Sequence, residues 1–142
     1  MTSRTLPAGT PSFRLDGKVA LITGAGKGIG AGIATALAAA GAQIVAVART
    51  PVDLEALVAH ITASGGRATA EACDVRHKAA ICALIAGLSR LDILVNNVGT
   101  NIPEPFLEVS EDHLDLMIDL NVRSLFLVSQ CAVRKMLEHF SS

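Results

Sequence analysis

An apolar run that ends abruptly at a glycine-rich turn constrains this chain more than any other feature of its sequence. The run covers residues 19–22, the turn follows over residues 23–30, and an alanine-rich segment of helical length comes next. A strand, a glycine turn and a helix in this order create an anion site, because the amide hydrogens and the dipole at the helix start favour a phosphate. The turn therefore predicts a nucleotide-binding site.

The glycines of this turn follow the pattern T-G-x-x-x-G-x-G rather than G-x-G-x-x-G, since position 29 is isoleucine. Gly24 would allow the tight turn, Gly28 would let a pyrophosphate approach the backbone, and Gly30 would let the helix pack close to the strand. An ordinary turn without a ligand is the alternative interpretation. The turn residues predicted to contact a cofactor are Thr23, Gly24, Gly26, Lys27, Gly28, Ile29 and Gly30.

Strand-like and helix-like segments alternate four times along the chain. Strands are predicted over residues 19–23, 43–48, 67–73 and 92–96, and helices over residues 29–40, 51–64, 76–88 and, with Ser110 as its cap, as far as residue 137. This alternation predicts an α/β fold, a Rossmann-type doubly wound parallel sheet that ends after the fourth strand and the long following helix. Residues 1–14 are predicted to be a flexible tail, and residues 15–142 a single, incomplete domain.

Composition and charge argue against two classes of partner. The net charge is −1, and the chain has four Phe but no Trp or Tyr, so neither electrostatics nor base stacking favours a nucleic acid. Residues 28–48 carry no charge and resemble a membrane span in hydropathy, but Gly41 divides them into a helix and a Val/Ile-rich strand. The N-terminus has no apolar signal region, and we predict a cytoplasmic protein without a membrane partner.

The cysteines and histidines show no metal-binding pattern. Cys73, Cys82 and Cys131 are odd in number and far apart, no C-x-x-C occurs, and the four histidines lack ligand spacing. We therefore predict no metal site, and we expect three reduced thiols with structural roles in a cytosolic chain.

Polar residues follow each predicted strand, and the carboxyl ends of parallel strands meet at one edge of a sheet. Arg49 stands after the second strand, where an NAD site has an acid for the ribose 2′-hydroxyl. Together with Thr50 and with Lys27 of the turn, Arg49 could hold a 2′-phosphate instead, which favours NADP over NAD. Two solvated surface cations are the alternative.

Two further groups follow the third and fourth strands. Asp74 could accept a hydrogen bond from an adenine amino group, or cap the next helix, with Val75 beside it. The fourth strand ends in two asparagines followed by Val-Gly, a segment that could line the cofactor site or bond the strand ends, namely Asn96, Asn97, Val98 and Gly99. Asn121 interrupts the apolar pattern of the long helix and, on pattern alone, is an exposed or locally bonded side chain.

These motifs together resemble the short-chain dehydrogenase/reductase family, over almost the whole chain from about Leu15. The matching segments are T-G-A-G-K-G-I-G at residues 23–30, Asp74-Val75, N-N-V-G at residues 96–99, and Asn121. The resemblance implies an NAD(P)(H)-dependent oxidoreductase that moves a hydride between NADP(H) and a carbonyl or secondary alcohol, in the manner of 3-oxoacyl reductases or sugar and polyol dehydrogenases. It also implies a homo-oligomer, dimeric or tetrameric, that uses the long helix as a subunit contact.

In the family, Asn121 would be the catalytic asparagine that supports a proton-relay water, and the loop after residue 100 would border the substrate. Val98 stands where the family usually has alanine. The family's catalytic serine and Tyr-x-x-x-Lys lie beyond the helix of Asn121, and this sequence contains no tyrosine. Because a phenol is the expected acid or base for the substrate oxygen, the chain alone is predicted to bind cofactor without turnover. A non-catalytic nucleotide-binding module and an S-adenosylmethionine-dependent methyltransferase are the alternatives.

Overall fold

The computed structural model describes residues 12–139, so most of the predicted tail, residues 1–11, lies outside the described part. The described residues form four strands and five α-helices: β1 Val19–Thr23, α1 Gly28–Ala39, β2 Gln43–Ala48, α2 Pro51–Ala63, β3 Arg67–Ala72, α3 Lys78–Gly87, β4 Ile93–Val95, α4 Glu111–Ile118 and α5 Ser124–Leu137. A single 3-10 turn, Phe106–Glu108, precedes α4.

The four strands form one parallel sheet in the order β3-β2-β1-β4. β1 pairs with β2 from Val19 opposite Gln43 onward and with β4 from Ala20 opposite Ile93 onward. The chain therefore crosses from one side of β1 to the other after β3, and the carboxyl ends of β1, β2 and β4 flank that change of direction. Ligands of such sheets bind at this point.

Helices cover both faces of the sheet. Successive side chains of a strand point to opposite faces, so each apolar strand contributes to a core on both sides. Ala20 and Ile22 are fully buried in a cluster that includes residues of α1 and α2. Leu21 is buried on the other face, in a cluster with Ile81 of α3 and Val128 of α5. The predicted α/β fold with a doubly wound parallel sheet is confirmed.

β1 and β2 have the predicted bounds, and the other element boundaries differ from the predicted ones by at most two residues. β4 is shorter than predicted by one residue at each end, and α3 begins at Lys78 rather than at residue 76. The delay at α3 has a local cause. The Asp74 carboxylate accepts the Arg76 amide at 3.0 Å, and the Asp74 carbonyl accepts the His77 amide at 3.0 Å, so a turn precedes the helix.

The long C-terminal helix is one continuous helical stretch with a π-helical segment, Asp119–Arg123, between α4 and α5. Ser110 caps it as predicted, since its hydroxyl accepts the His113 amide at 3.2 Å. Within residues 12–139, only Glu111–Leu137 has the length and mean hydropathy (1.4) of a membrane span, and core helices of soluble proteins meet the same criterion. The earlier uncharged stretch, residues 28–48, is divided between α1 and β2, as predicted.

The expectation of three reduced thiols is wrong. Cys82 of α3 and Cys131 of α5 form a disulfide with a Cα–Cα distance of 5.5 Å, and Cys73 is free. The two bonded cysteines are 49 residues apart in sequence, and only the packing of α3 against α5 brings them together. Because a disulfide restricts the unfolded chain, this bond stabilises the contact between the two helices.

The C-terminal part of the chain exposes an unusual number of apolar side chains. Residues at helical spacing along α4, the π-helical segment and α5 are 41–61% exposed, namely Leu114, Ile118, Val122, Leu125, Phe126, Val133 and Leu137. All three residues of the edge strand β4 are only partly buried. We call the seven helical residues the apolar helix face.

Candidate functional site

The turn between β1 and α1 has the backbone geometry that its glycines predict. Gly24 and Gly28 have φ values of 64° and 60°, a region that L-residues with side chains rarely adopt. Lys27 is the N-cap of α1, and its side chain makes no capping hydrogen bond within the described residues. The opening amides of α1 therefore have no side-chain partner at this cap, and an anion can bind there.

Gly30 holds α1 close to the end of β1. A Cβ atom at Gly30 would overlap the carbonyl of Gly24 and lie 2.5 Å from Nδ2 of Asn97. The same Asn97 amide donates to the Gly24 carbonyl at 3.1 Å, and the Asn97 backbone N–H donates to the Thr23 hydroxyl at 3.1 Å. Thr23 and Asn97 thus join the ends of β1 and β4, and the turn rests on both.

A cavity of about 310 Å³ lies above the carboxyl ends of the strands. It brings together ten of the predicted cofactor contacts from four separate segments of the chain: Gly24, Gly26, Lys27, Arg49, Thr50, Asp74, Val75, Asn97, Val98 and Gly99. Six other predicted site residues do not line it, namely Thr23, Gly28, Ile29, Gly30, Asn96 and Asn121. Ile29 is 77% exposed, and no Cβ contact would obstruct Gly28, so both lie at the open side of the turn.

The side of the cavity near β2 carries unpaired positive charge. Arg49 and Lys27 are exposed, and within residues 12–139 neither side chain makes an ion pair or hydrogen bond. Thr50 is the N-cap residue of α2, as predicted, but its hydroxyl makes no capping bond. These three polar groups are therefore available to a ligand.

The Asp74 side chain already has a protein partner, Arg76. Its carboxylate accepts from the Arg76 guanidinium at 2.6 Å and from the Arg76 amide at 3.0 Å. These hydrogen bonds, with the charge of Arg76, lower the pKa of Asp74 to about 2, against the opposing effect of partial burial. The carboxylate is therefore ionised at neutral pH, and its turn presents Val75 at the wall of the cavity.

Asn96 and Asn121 tie the site to the long helix. Nδ2 of Asn96 donates to the Ser129 hydroxyl at 3.0 Å. Asn121, in the π-helical segment, binds one backbone unit twice: its Oδ1 accepts the Thr100 amide at 2.7 Å, and its Nδ2 donates to the Thr100 carbonyl at 2.8 Å. Asn121 thus fixes the loop after β4, and the π-helical winding places its side chain there.

Six cavity residues were not among the predicted contacts: Val47, Ala48, Asp53, Cys73, Thr100 and Leu120. Ala48, Cys73 and Thr100 adjoin predicted site residues along the chain, and Val47 lies two residues before Arg49. Extending each predicted group by one or two residues would have included all four. Asp53 lies on the first turn of α2, and a helical wheel that placed it toward the strand end would have found it. Leu120 had no signal in the sequence, because its place in the cavity depends on the π-helical turn.

Within residues 12–139, no group of three or more His, Cys, Asp and Glu side chains is placed to hold a metal ion.

The family model described as short chain dehydrogenase matches residues 18–142. The chain belongs to this family. It is a family of oxidoreductases that bind NAD or NADP. The cavity lies at the carboxyl ends of the strands, where open α/β sheets bind their ligands.

Similar proteins place the chain within the family. D-threitol dehydrogenase of Mycolicibacterium smegmatis is 43% identical over 130 residues, which are 89% of this chain and 50% of that protein. A metagenomic short-chain oxidoreductase, solved with NADP, is 36% identical with a TM-score of 0.83 over 88% of this chain and 59% of its own. A 7α-hydroxysteroid dehydrogenase, solved with NADH and 7-oxo glycochenodeoxycholic acid, is 38% identical with a TM-score of 0.85, and 90% of this chain covers 51% of it.

The chain spans about half the length of the curated relatives that it matches. The matched half contains the sheet and the cavity described above.

Proposed function

We propose that this short-chain dehydrogenase chain binds NADP(H) at the cavity, as the cofactor-binding part of an enzyme that moves a hydride between NADP(H) and a carbonyl or secondary alcohol. The supporting observation is that four chain segments place backbone amides, two unpaired cations and an amide-bearing loop around one cavity. The polyol relative favours a sugar or polyol substrate over a 3-oxoacyl substrate.

Different parts of the cavity suit different parts of the dinucleotide. The uncapped start of α1 suits the pyrophosphate, and Gly28 leaves room for it. Arg49, Lys27 and the Thr50 hydroxyl suit a 2′-phosphate, because all three are unpaired and the two cations are exposed. When bound, the nicotinamide ring supplies or accepts the hydride.

The remaining contacts fit the adenine and the nicotinamide. Val75 gives an apolar wall at the β3 end, with Asp74 as an acceptor near an adenine amino group. The loop at residues 96–99 lies at the β4 end, beside the place for the nicotinamide ribose, and Asn121 holds the backbone of Thr100 next to it. Asn121 is proposed to keep this loop in position and to support the proton-relay water that the family resemblance implies.

We further propose that the chain alone binds cofactor without turnover. The sequence contains no tyrosine, and so it lacks the phenol that would protonate or deprotonate the substrate oxygen. A non-catalytic nucleotide-binding module would have the same cavity and the same ligand, and it remains the second candidate. Assembly into a homo-oligomer through the apolar helix face completes the proposal, and no nucleic-acid or membrane partner is proposed. The cytoplasmic location expected from reduced thiols loses that support with the Cys82–Cys131 bond.

Removal of the Arg49 side chain tests the cofactor assignment. Arg49→Ala should weaken NADPH binding by about 1–3 kcal/mol, the range for a charge-assisted hydrogen bond, and leave NADH binding little changed. Titration of both cofactors by calorimetry measures this. Arg134→Ala, which removes an exposed arginine from α5 outside the cavity, is the matched control.

Equal losses of NADPH and NADH affinity in Arg49→Ala would remove the preference for NADP. Gly28→Val should abolish binding of both, since a β-branched residue cannot adopt the positive φ of Gly28 without strain. Retained binding in this variant would place the pyrophosphate elsewhere. Binding of S-adenosylmethionine in place of either dinucleotide would favour the methyltransferase.

A further inference from the structure

An acid lies on the cation-bearing side of the cavity, although β2 itself ends without one. Asp53, on the first turn of α2, lines the cavity together with Arg49 and Thr50. Its position is set by contact with the glycine turn: a Cβ atom built on Gly26 would lie 3.1 Å from Cβ of Asp53 and 3.7 Å from its Oδ2. The carboxylate therefore lies close against the turn between β1 and α1.

The charge of Asp53 is not neutralised by a protein partner. Within the described residues its carboxylate forms no ion pair or hydrogen bond, and the same holds for the side chains of Arg49 and Lys27. One negative and two positive groups thus surround the same part of the cavity. A 2′-phosphate bound by the two cations would add negative charge near the carboxylate, whereas a ribose hydroxyl could donate a hydrogen bond to it.

We propose that Asp53 is a specificity-determining residue that opposes the 2′-phosphate and accepts a ribose hydroxyl, so that the cavity takes NADH as well as NADPH. This inference rests on the proposed function. Arg49 and Asp53 then have opposite effects on the preference for NADPH over NADH. Arg49 strengthens NADPH binding, and Asp53 limits that preference.

A structural role for Asp53 makes a different prediction. An acid in the first turn of a helix stabilises the helix dipole, whatever ligand is bound. That role alone affects the stability of α2 and leaves the ratio of the two cofactor affinities unchanged. The ratio therefore separates specificity from helix stabilisation.

The experiment is calorimetric titration of NADPH and NADH into the whole chain and its variants at low ionic strength. Asp53→Asn should tighten NADPH binding about three- to tenfold, the effect in water of removing a like charge about 4 Å away, and should weaken NADH binding or leave it unchanged. Asp53→Ser, a second neutral residue that suits a helix start, should move the ratio in the same direction. Asp53→Glu should keep the wild-type ratio, because it keeps the charge.

Glu55→Gln is the matched control, since it removes one negative charge from the same helix at an exposed position outside the cavity. Its ratio of NADPH to NADH affinity should equal that of the wild type, and 0.5 M salt should reduce the effect of Asp53→Asn. Unchanged ratios in both neutral Asp53 variants, with both cofactors still bound, would overturn this inference and leave the proposed function intact. Failure of the wild-type chain to bind either cofactor would overturn the proposed function itself.

Discussion

The corner formed by β1, the glycine turn and β2 differs sharply from the helical stretch that follows β4. In the corner, both central strands are almost wholly buried, and the turn is joined to β4 through Thr23 and Asn97. In the helical stretch, by contrast, seven large apolar side chains are substantially exposed, and β4 at the sheet edge is only partly buried. The corner is completed by contacts within the chain, whereas the apolar helix face has no comparable cover among residues 12–139.

This difference shows that the cavity and the helical stretch depend on different interactions. In the corner, backbone segments approach each other so closely that only glycine leaves room, as at Gly30. The helical stretch is attached to the rest by a disulfide, by Lys135 of α5, which donates to the Ala86 carbonyl at 3.3 Å, and by the polar bonds of Asn96 and Asn121. Changes in the corner should therefore affect ligand binding and folding together, and changes in the helical attachments should affect mainly stability.

The largest effect is expected from a methyl group in the corner. Gly30→Ala should destabilise the fold by about 3 kcal/mol or more, because the added Cβ would overlap the Gly24 carbonyl and force α1 away from β1. Gly32→Ala, two residues on in the same helix, meets nothing within 4 Å and should stabilise by about 0.5–1 kcal/mol. Denaturant unfolding measures both changes, and similar values for the two variants would mean that the corner is not tightly packed.

The next effect tests the attachment of the helical stretch. Cys82→Ser should lower the free energy of unfolding by about 2–4 kcal/mol, because it removes a cross-link that closes a long loop. Cys73→Ser removes the free cysteine and should change stability far less. Thiol titration of the denatured, unreduced chain should give one reactive thiol in the wild type. Three reactive thiols would show that the cysteines are reduced, as their spacing alone predicts.

The smallest effect concerns the junction of β4 with β1. Asp92 accepts the Val19 amide at 2.9 Å and the Arg90 guanidinium at 2.6 Å, and chiefly the hydrogen bond from Arg90 lowers its pKa to about 2. A lowered folded-state pKa gives stability that is present above the unfolded value near 3.8 and is lost as the pH falls toward 2. We expect a loss of about 1–2 kcal/mol from Asp92 over this interval, after allowance for solvent screening.

Unfolding curves at pH 7 and pH 2.5 measure this loss. Asp92→Asn should be less stable at pH 7 and should lose less on acidification than the wild type, whereas Asp115→Asn, at an exposed position of α4, should keep the wild-type slope. If Asp92→Asn lost as much stability between pH 7 and pH 2.5 as the wild type, the carboxylate would not hold β4 to β1 in solution.

The sequence predicted the corner well and the helical stretch less well, for physical reasons. Glycine spacing and buried strands are local signals, so β1 and β2 have the predicted bounds, and the roles of Gly24 and Gly30 in the turn are confirmed. The Cys82–Cys131 bond, the π-helical turn and the place of Asp53 beside Gly26 all depend on how distant elements pack. No residue pattern encodes these contacts, and the disulfide expectation failed for that reason.

The cofactor contacts themselves stay predictions, because strand ends indicate which residues gather at a rim but not which of them a ligand touches. Asn97 illustrates the limit: its side chain both lines the cavity and bonds the Gly24 carbonyl. The two roles that its position suggested are compatible.

The π-helical segment Asp119–Arg123 determines the directions in which the side chains of α5 point. Each residue of an α-helix advances about 100° around the axis, so deletion of one residue from this widened turn would rotate α5 by that angle relative to α4. Val128 and Ala132 would then face away from α3, and Cys131 would no longer point toward Cys82. One extra residue in this turn thus allows Asn121 to bond the Thr100 backbone while Val128 and Cys131, later in the same helical stretch, face α3.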